Sequence, residues 1–456
     1  MNVAPVEPAS ASAAKRRRDW LLSEYGMALV LVALVVFFSI VTWTRQGASG
    51  PAAARELAGT IASVSAEGHN RVVIVVRDTP AERAWAETLR RDLVGQGLEV
   101  VASLAGDPQQ AGRELTRLLE SGAAIDYLAC SSATFHWGVF DRLAAEHAKL
   151  REATLVEPAA VRGSSFLTAA NLLNIANQVA IIAIVAIGMT LVIITGGIDL
   201  SVGSLIALSA VVTTLAARDL AGGTAASNFG LVACSLAGIG LCALVGAFSG
   251  MMVARFQVPA FITTLAMMGI ASGVAYRISE GQSIDQVPER FVALGGGLGP
   301  LGVPNAVLLM FGLYIAAHVL MTRSVFGRHV YAVGGNAEAA RLSGVPVRRV
   351  LVLVYLLGGA LAGLGGVVMA SQLKSGAPTY GLMYELHVIT AVVVGGTSLA
   401  GGEGRIFGTL IGAFIIAVIQ NGMNLTGIES YTQKIVLGAV ILAAVLLDRL
   451  KQNARG

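Results

Sequence analysis

Charge is scarce in this chain. Of its 456 residues only 13% are Asp, Glu, Lys or Arg, about half the roughly 25% of an ordinary soluble protein. Residues of the AVILMFWYC set make up 55%, and the mean hydropathy is +0.71. A plain soluble enzyme, a disordered chain and a collagen are excluded on those figures. Cysteine is scarcer still, with three residues. Cys234 and Cys242 lie eight apart in one apolar run, about 12 Å along a helix axis, too far to bridge. Cys130 has no neighbour, so a disulfide-rich secreted module is excluded too. His69, His136 and His147 lack ligand spacing and read as surface or cap residues, so neither a metal nor another cofactor is expected. The segment Gly-x-x-x-x-Gly-Lys-Ser/Thr does not occur, so the chain carries no phosphate-binding loop of its own.

What the chain has in quantity is apolar runs near 20 residues, the length that spans a bilayer, and 54 glycines, which let membrane helices pack closely. The fold class expected is an all-α polytopic membrane protein with about ten transmembrane helices, carrying one small α/β insert. The net charge of +4 is accounted for by Lys and Arg retained on the cytoplasmic side, so no nucleic-acid partner is expected.

The remaining charge is unevenly spread. Between Arg45 and Ser165 stand 13 Lys/Arg and 15 Asp/Glu, 28 of the 60 charged residues. This divides the chain into a cytoplasmic tail (1–23), a first transmembrane helix (24–44), an extracytoplasmic α/β insert (45–165), a transmembrane domain (166–448) and a second cytoplasmic tail (449–456). The first helix follows the basic run Lys15-Arg16-Arg17-Arg18, a layout shared with signal peptides. Its apolar run from Met27 to Trp43 is long for a signal and ends in an interfacial residue, which favours an uncleaved anchor with its N-terminus inside.

The insert alternates two periods. Strand-like runs at Arg71–Arg77, Leu98–Leu104 and Ile125–Cys130 alternate with helical segments at Pro80–Gly97, Pro108–Ser121 and Trp137–Leu150, which implies a small parallel sheet. The pattern resembles half a lobe of a periplasmic sugar-binding protein. Three βα units without a second lobe make no clamp, so the insert is expected to bind no sugar alone and to touch an arriving binding protein or its sister copy.

Beyond Phe166 the expected spans are 178–195, 201–217, 229–253, 259–278, 304–322, 350–370, 386–400, 405–424 and 432–447. Counting from an inside N-terminus, the short inside loops hold 14 Lys/Arg and the short outside loops five, the bias the positive-inside tendency requires. Glycine-rich polar segments, Thr195–Ser204 and Gly395–Arg405, interrupt spans in corresponding parts of the two halves, the sign of an inverted repeat with a substrate path between halves. Asp199 within the first segment is either an intramembrane functional acid or, with Ser201, the N-cap of the next helix. Asn174, Asn177 and Gln178 share one helix face; they either line a path or hydrogen-bond to a neighbouring helix.

The largest inside loop, Phe326–Pro346, contains Gly335 and Asn336, an N-cap, then Glu338-Ala339-Ala340-Arg341 and Gly344. Glu338-Ala339-Ala340 with Gly344 resembles the coupling loop of ATP-binding cassette (ABC) importer permeases. Asn171–Gln178, Gly188–Ser204, Val258–Ile262, Tyr380–Glu385, Val394–Gly402 and Asn421–Asn424 are similar to the ribose/xylose/arabinose-type permeases of ABC sugar importers, within the branched-chain amino acid permease superfamily. The resemblance covers about Phe166 to Arg449 plus the anchor. Family members have a short loop where this chain has its insert, and usually an acid where it has His387.

The resemblance implies a permease subunit, not an enzyme, in a bacterial inner membrane. It implies a permease homodimer in lipid, a cytoplasmic ATPase docked on Gly335–Gly344, and a periplasmic protein delivering a simple sugar. Glu385, Asn421 and Asn424, in matching stretches, join Asn174, Asn177, Gln178, Asp199 and Ser201 as pathway candidates. The competing readings are an ABC permease for a nucleoside or branched-chain amino acid, a secondary transporter, and an anchored sensor.

Overall fold

The computed structural model describes residues 26–48, 50–65, 69–285 and 287–453. The N-terminal tail 1–23 with its basic run, and the final residues 454–456, lie outside the described residues. The chain divides into two compact units, residues 42–165 and the remainder on either side of them.

Helix α1 (Gly26–Val41) precedes the smaller unit. Trp43, which the sequence suggests as the end of that helix, instead opens strand β1 (Trp43–Gly47). β1 pairs antiparallel with β6 (Ala160–Ser164), from Trp43 opposite Ser164 to Gly47 opposite Ala160. Between these strands lie α2 (Pro51–Val64), β2 (Arg71–Val76), α3 (Pro80–Gly95), β3 (Glu99–Ala105), α4 (Pro108–Glu120), β4 (Tyr127–Cys130), α5 (Gly138–Glu146), α6 (Ala148–Glu152) and β5 (Thr154–Val156). The sheet order is β3-β2-β4-β5, with every pair parallel.

Alternation along β2 explains the layering. Val72, Ile74 and Val76 face Leu57 and Ile61 of α2 and Trp85, Leu89 and Leu93 of α3. Val73 and Val75 face Leu115 and Leu119 of α4 and Phe140 and Leu143 of α5. A sheet covered on both faces needs continuously apolar strands, which Arg71-Val-Val-Ile-Val-Val76 supplies. Asp107 caps α4, accepting from the Gln110 backbone N–H at 2.8 Å while the Gln110 side chain accepts from the Asp107 N–H, a capping box.

Beyond the β1–β6 pair, which the sequence reading does not include, three features of this unit depart from it. The sheet has a fourth strand, β5, whose three residues are too short to show a period. Helix α2 is additional, burying Ala54, Leu57, Ala58 and Ile61 at helical spacing in a stretch to which the sequence reading assigned no element. The expected helix Trp137–Leu150 breaks at His147 into α5 and α6.

The larger unit continues with α7 (Ala169–Ile194), α8 (Val202–Asp219), α9 (Asn228–Phe256), α10 (Ala260–Ile278), α11 (Glu289–Gly295), α12 (Asn305–Arg323), α13 (Val325–Gly335), α14 (Ala337–Leu342), α15 (Val347–Leu373), α16 (Tyr384–Val394), α17 (Ile406–Leu425) and α18 (Ser430–Asn453). Seven of these, α7, α8, α9, α10, α12, α15 and α17, are long and apolar enough to cross a membrane. Three shorter apolar helices, Gly26–Val41, Tyr384–Val394 and Ser430–Ala443, occupy the other three expected positions. The chain is a polytopic helical membrane protein.

The expected span 386–400 is corrected. Helix α16 has 11 residues, about 16 Å of rise and half the roughly 30 Å hydrocarbon core. It stops because Gly396 adopts φ +89°, a conformation no helix continues through. A glycine-rich loop then runs to Arg405.

Helix α15 is the hub of the packing, and small residues bring its neighbours close. A Cβ on Gly359 would strike the Cys242 carbonyl oxygen of α9, and one on Gly188 of α7 would lie 2.7 Å from the Gly358 Cα. Helix α7 is almost wholly enclosed, with 89% of its most apolar window buried, against 28% for α9 and α10. The outer helices therefore present apolar surface, including Phe229, Leu236, Leu244 and Phe248, as a lipid-facing helix must.

Candidate functional site

The Phe326–Pro346 loop folds into two helices meeting at Asn336. The Asn336 side chain accepts from the Ala339 N–H at 2.9 Å, capping α14 as Asn does. Helix α14 is closed by Gly344 at φ +85°, and the Val345 N–H donates back to the Ala340 carbonyl at 3.0 Å, a glycine-terminated end. Glu338 and Arg341, three residues apart, are joined by Nε to Oε2 (3.0 Å) and Nη2 to Oε1 (2.5 Å). That hydrogen bonding, and then the Arg341 charge, hold the Glu338 carboxyl below its ordinary range. Ala340 alone turns inward, 6% exposed. Gly335, Asn336, Glu338, Ala339, Arg341 and Gly344 are exposed. The result is a short, well-capped helix whose outer face carries Ala337, Ala339, the Glu338–Arg341 pair and an exposed Leu342.

At its base, the Tyr331 hydroxyl donates to the Gly404 carbonyl at 2.7 Å. The Gly402 N–H donates to the Ile194 carbonyl at 2.8 Å. The two glycine-rich loops and the end of α13 thus converge at one end of the unit, as expected of three loops assigned to one side of the membrane.

The pathway candidates separate. Asn177 is half-buried and accepts from Gln372 Nε2 of α15 at Oδ1 (3.1 Å) and at its carbonyl oxygen (3.3 Å), so it joins two helices. Asn174 and Gln178 are exposed and bond to one another at 3.2 Å. Asp199 is fully buried. Its Oδ1 accepts from the Ser201 N–H (2.9 Å) and hydroxyl (2.6 Å), an Asx turn ahead of α8; the N-cap of that helix is Ser201, not Asp199, and Oδ2 has no partner among the described residues. Tyr355, whose hydroxyl lies against Gly197, two residues before Asp199, and Thr397 in the second loop also hold buried oxygens without a partner among the described residues.

Glu385 is half-buried in the first turn of α16, where a negative charge suits the helix dipole. His387 lies 3.3 Å from Gln420 Nε2. Asn421 is buried and bound to Asn171; Asn424 is exposed and accepts from Gln433 Nε2 at 2.8 Å. These candidates do not form one cluster. Sequence reasoning passed over Asn171, Gln372, Tyr331, Tyr355 and Thr397, although Asn171, Tyr331 and Thr397 stood inside quoted motifs. No group of His, Cys, Asp and Glu suited to a metal occurs among the described residues.

Comparison with known proteins gives this geometry its setting. Residues 171–445 match the family model described as "Branched-chain amino acid transport system / permease component". The ribose import permease protein of Escherichia coli (strain K12) is 46% identical over 295 residues, 63% of this chain and 88% of that protein. The ribose import permease protein of Bacillus subtilis (strain 168) is 42% identical over 298 residues, 65% of this chain and 90% of that protein. The L-arabinose transport system permease protein of Escherichia coli (strain K12) is 38% identical over 296 residues, 64% of this chain and 86% of that protein. No solved structure gives a significant match. The insert lies outside the family match. The chain belongs to this family of transport-system permease components and is a multi-pass membrane transport subunit, not an enzyme.

Proposed function

We propose that this chain is the transmembrane subunit of an ABC importer and forms the path for a simple sugar, with a pentose the first candidate. The carrying observation is 46% identity to a ribose import permease over 88% of that relative. Two copies form the pathway in the inner membrane of a bacterium, with lipid against the apolar outer helices. A periplasmic binding protein delivers the sugar. A cytoplasmic ATPase docks on α14 and supplies in trans the hydrolysis for which the chain has no phosphate-binding loop. The exposed face of α14 suits insertion into a groove: Ala337 and Ala339 permit close approach, and Leu342 offers an exposed apolar side chain to bury there. ATP binding in the partner then shifts the permease between outward- and inward-facing forms.

Domain roles follow the same reading: a cytoplasmic N-terminal tail, an anchor, an external insert and the permease proper. The test is uptake into proteoliposomes containing the permease and its cognate ATPase, with binding protein and a panel of labelled sugars. ATP-dependent accumulation of one pentose, absent without the ATPase, is expected. Accumulation driven by an ion gradient without the ATPase would overturn the reading in favour of a secondary transporter. ATP-driven uptake of a nucleoside or a branched-chain amino acid in place of sugars would overturn the cargo alone.

A further inference from the structure

The path by which α14 acts on the membrane helices has an unusual construction. Helix α13 ends at Gly334-Gly335, immediately before the Asn336 cap of α14. A Cβ placed on Gly334 would collide with the Ile194 carbonyl oxygen at the end of α7, and would lie 2.6 Å from the Gly402 nitrogen. A Cβ on Gly401 would lie 3.0 Å from the Gly334 carbonyl oxygen and 3.2 Å from the Gly196 Cα; one on Gly402 would lie 3.0 Å from the Gly335 Cα. The Gly402 N–H itself is bonded to the Ile194 carbonyl. Three chain segments therefore meet backbone on backbone: the end of α7, the loop leading into α17, and the last turn before α14. Tyr331 of α13 clamps the same loop through the Gly404 carbonyl.

Side chains between two elements absorb small displacements by changing rotamer. Main chain packed directly on main chain has no such slack, and close-packed contacts transmit strain. Helix α7 is the most enclosed span, and α17 is tied to it by the Thr190 and Thr409 hydroxyls at 2.7 Å. A push on α14 at this junction reaches both halves at once.

We infer that the Gly334–Gly402–Ile194 junction, with Tyr331 as its clamp, is the element that converts ATPase movement at α14 into movement of α7 and α17. Its residues are positioning residues for transport, acting through helices that carry pathway candidates. The inference rests on the proposal that the ATPase docks at α14.

The test uses the full chain reconstituted with its ATPase and binding protein, and reads sugar transported per ATP hydrolysed. Gly334→Ala adds one methyl group at the contact. Tyr331→Phe removes one hydrogen bond without adding volume, so it reports even where Gly334→Ala fails to assemble. Gly269→Ala, on α10 with open space around the added methyl, is the control. Tyr331→Phe is expected to lower the transport-to-hydrolysis ratio at least about fivefold, one hydrogen bond's worth of equilibrium bias. Membrane level and ATPase binding should be unchanged. Gly334→Ala should lower the ratio further wherever it assembles. A wild-type ratio in Tyr331→Phe overturns the inference. Crosslinking of Glu338→Cys to the ATPase separates the two ideas: no crosslink removes the docking site, whereas a crosslink with wild-type ratios in the junction variants removes only the junction.

Discussion

Asn171 and Asn421 form a reciprocal amide pair, 250 residues apart in sequence. Asn171 Nδ2 donates to Asn421 Oδ1 at 3.0 Å, and Asn421 Nδ2 returns the bond to Asn171 Oδ1 at 2.9 Å. Asn171 Nδ2 also reaches the Phe166 carbonyl at 2.8 Å. The start of α7 and the end of α17 are thereby fastened at the end of the unit opposite the glycine junction. Together the two fastenings fix α7 against α17 at both ends.

Replacing one amide should cost more than replacing both. Asn421→Leu leaves the half-buried Asn171 Oδ1 without its donor, while Nδ2 keeps the Phe166 carbonyl, a loss of about 1 kcal/mol. The expected result is a lower melting temperature in detergent for Asn421→Leu, partly restored in the Asn171→Leu/Asn421→Leu double variant. Additive losses across that cycle would show the pair to be uncoupled.

Gly344 separates backbone strain from occlusion at the docking helix. Its φ of +85° disfavours any L side chain by roughly 1–2 kcal/mol, but nothing stands within 4 Å of an added Cβ. Gly344→Ala should therefore weaken ATPase binding about fivefold, in line with that penalty. Gly344→Glu adds bulk and a second negative charge near Glu338 and should abolish ATP-driven uptake with membrane level unchanged. Normal uptake by Gly344→Glu would remove α14 from the docking surface.

In the α/β unit, Asp126 gathers Arg71 and His69. Its Oδ2 accepts from the Arg71 N–H and Nε, both at 3.0 Å, and its Oδ1 from Arg71 Nη2 at 3.1 Å, with His69 Nδ1 at 3.2 Å. The Arg71 side-chain bond is the main cause holding the Asp126 carboxyl down from 3.8 to about 2. A depressed folded-state pKa stabilises fully above the unfolded value near 3.8 and is lost as pH falls through about 2. Amide exchange in β2 and β4, corrected for intrinsic rate, should accelerate between pH 4 and 2. Asp126→Asn should accelerate it at neutral pH by about tenfold or more, the loss of a charge-assisted bond. Exchange indifferent to both changes would deny the cluster a structural role.

Much of this was legible because apolar runs and glycine have strong, local meanings. The run from Gln178 to Ile194 reads as a membrane span from its length and apolarity alone, and Asn336 with Gly344 marks both ends of α14; that α7 is enclosed by its neighbours is not written in its own residues. What escaped depended on distance in sequence. Nothing near Asn421 announces Asn171, and Gln372 becomes the partner of Asn177 only once α15 lies against α7. The half-length α16 escaped because Val388–Val394 and the small residues after it read as one apolar window, while the break depends on a backbone angle at Gly396. Helix α2 escaped because alanine-rich segments serve equally as linkers and as packed helices.

The last expectation concerns the α/β unit itself, which the family match leaves out. Strands β1 and β6 run antiparallel in register to Gly47 opposite Ala160, so the ends of everything between them are already neighbours. Removing 48–159 and joining Gly47 to Ala160 through Asn-Gly, the preferred two-residue hairpin turn, keeps that ladder. Cutting at 68 and 157 instead would strand α2, whose Leu57 and Ile61 are buried against β2 and α3. One parallel sheet of four strands has no second lobe with which to close on a sugar, so binding of labelled sugar should be unaffected by the deletion. If the unit receives the binding protein, the deletion should raise the half-saturating concentration of that protein in the uptake assay. Maximal uptake and ATPase assembly should stay as in the intact chain. Uptake unchanged at every concentration of binding protein would exclude a docking role.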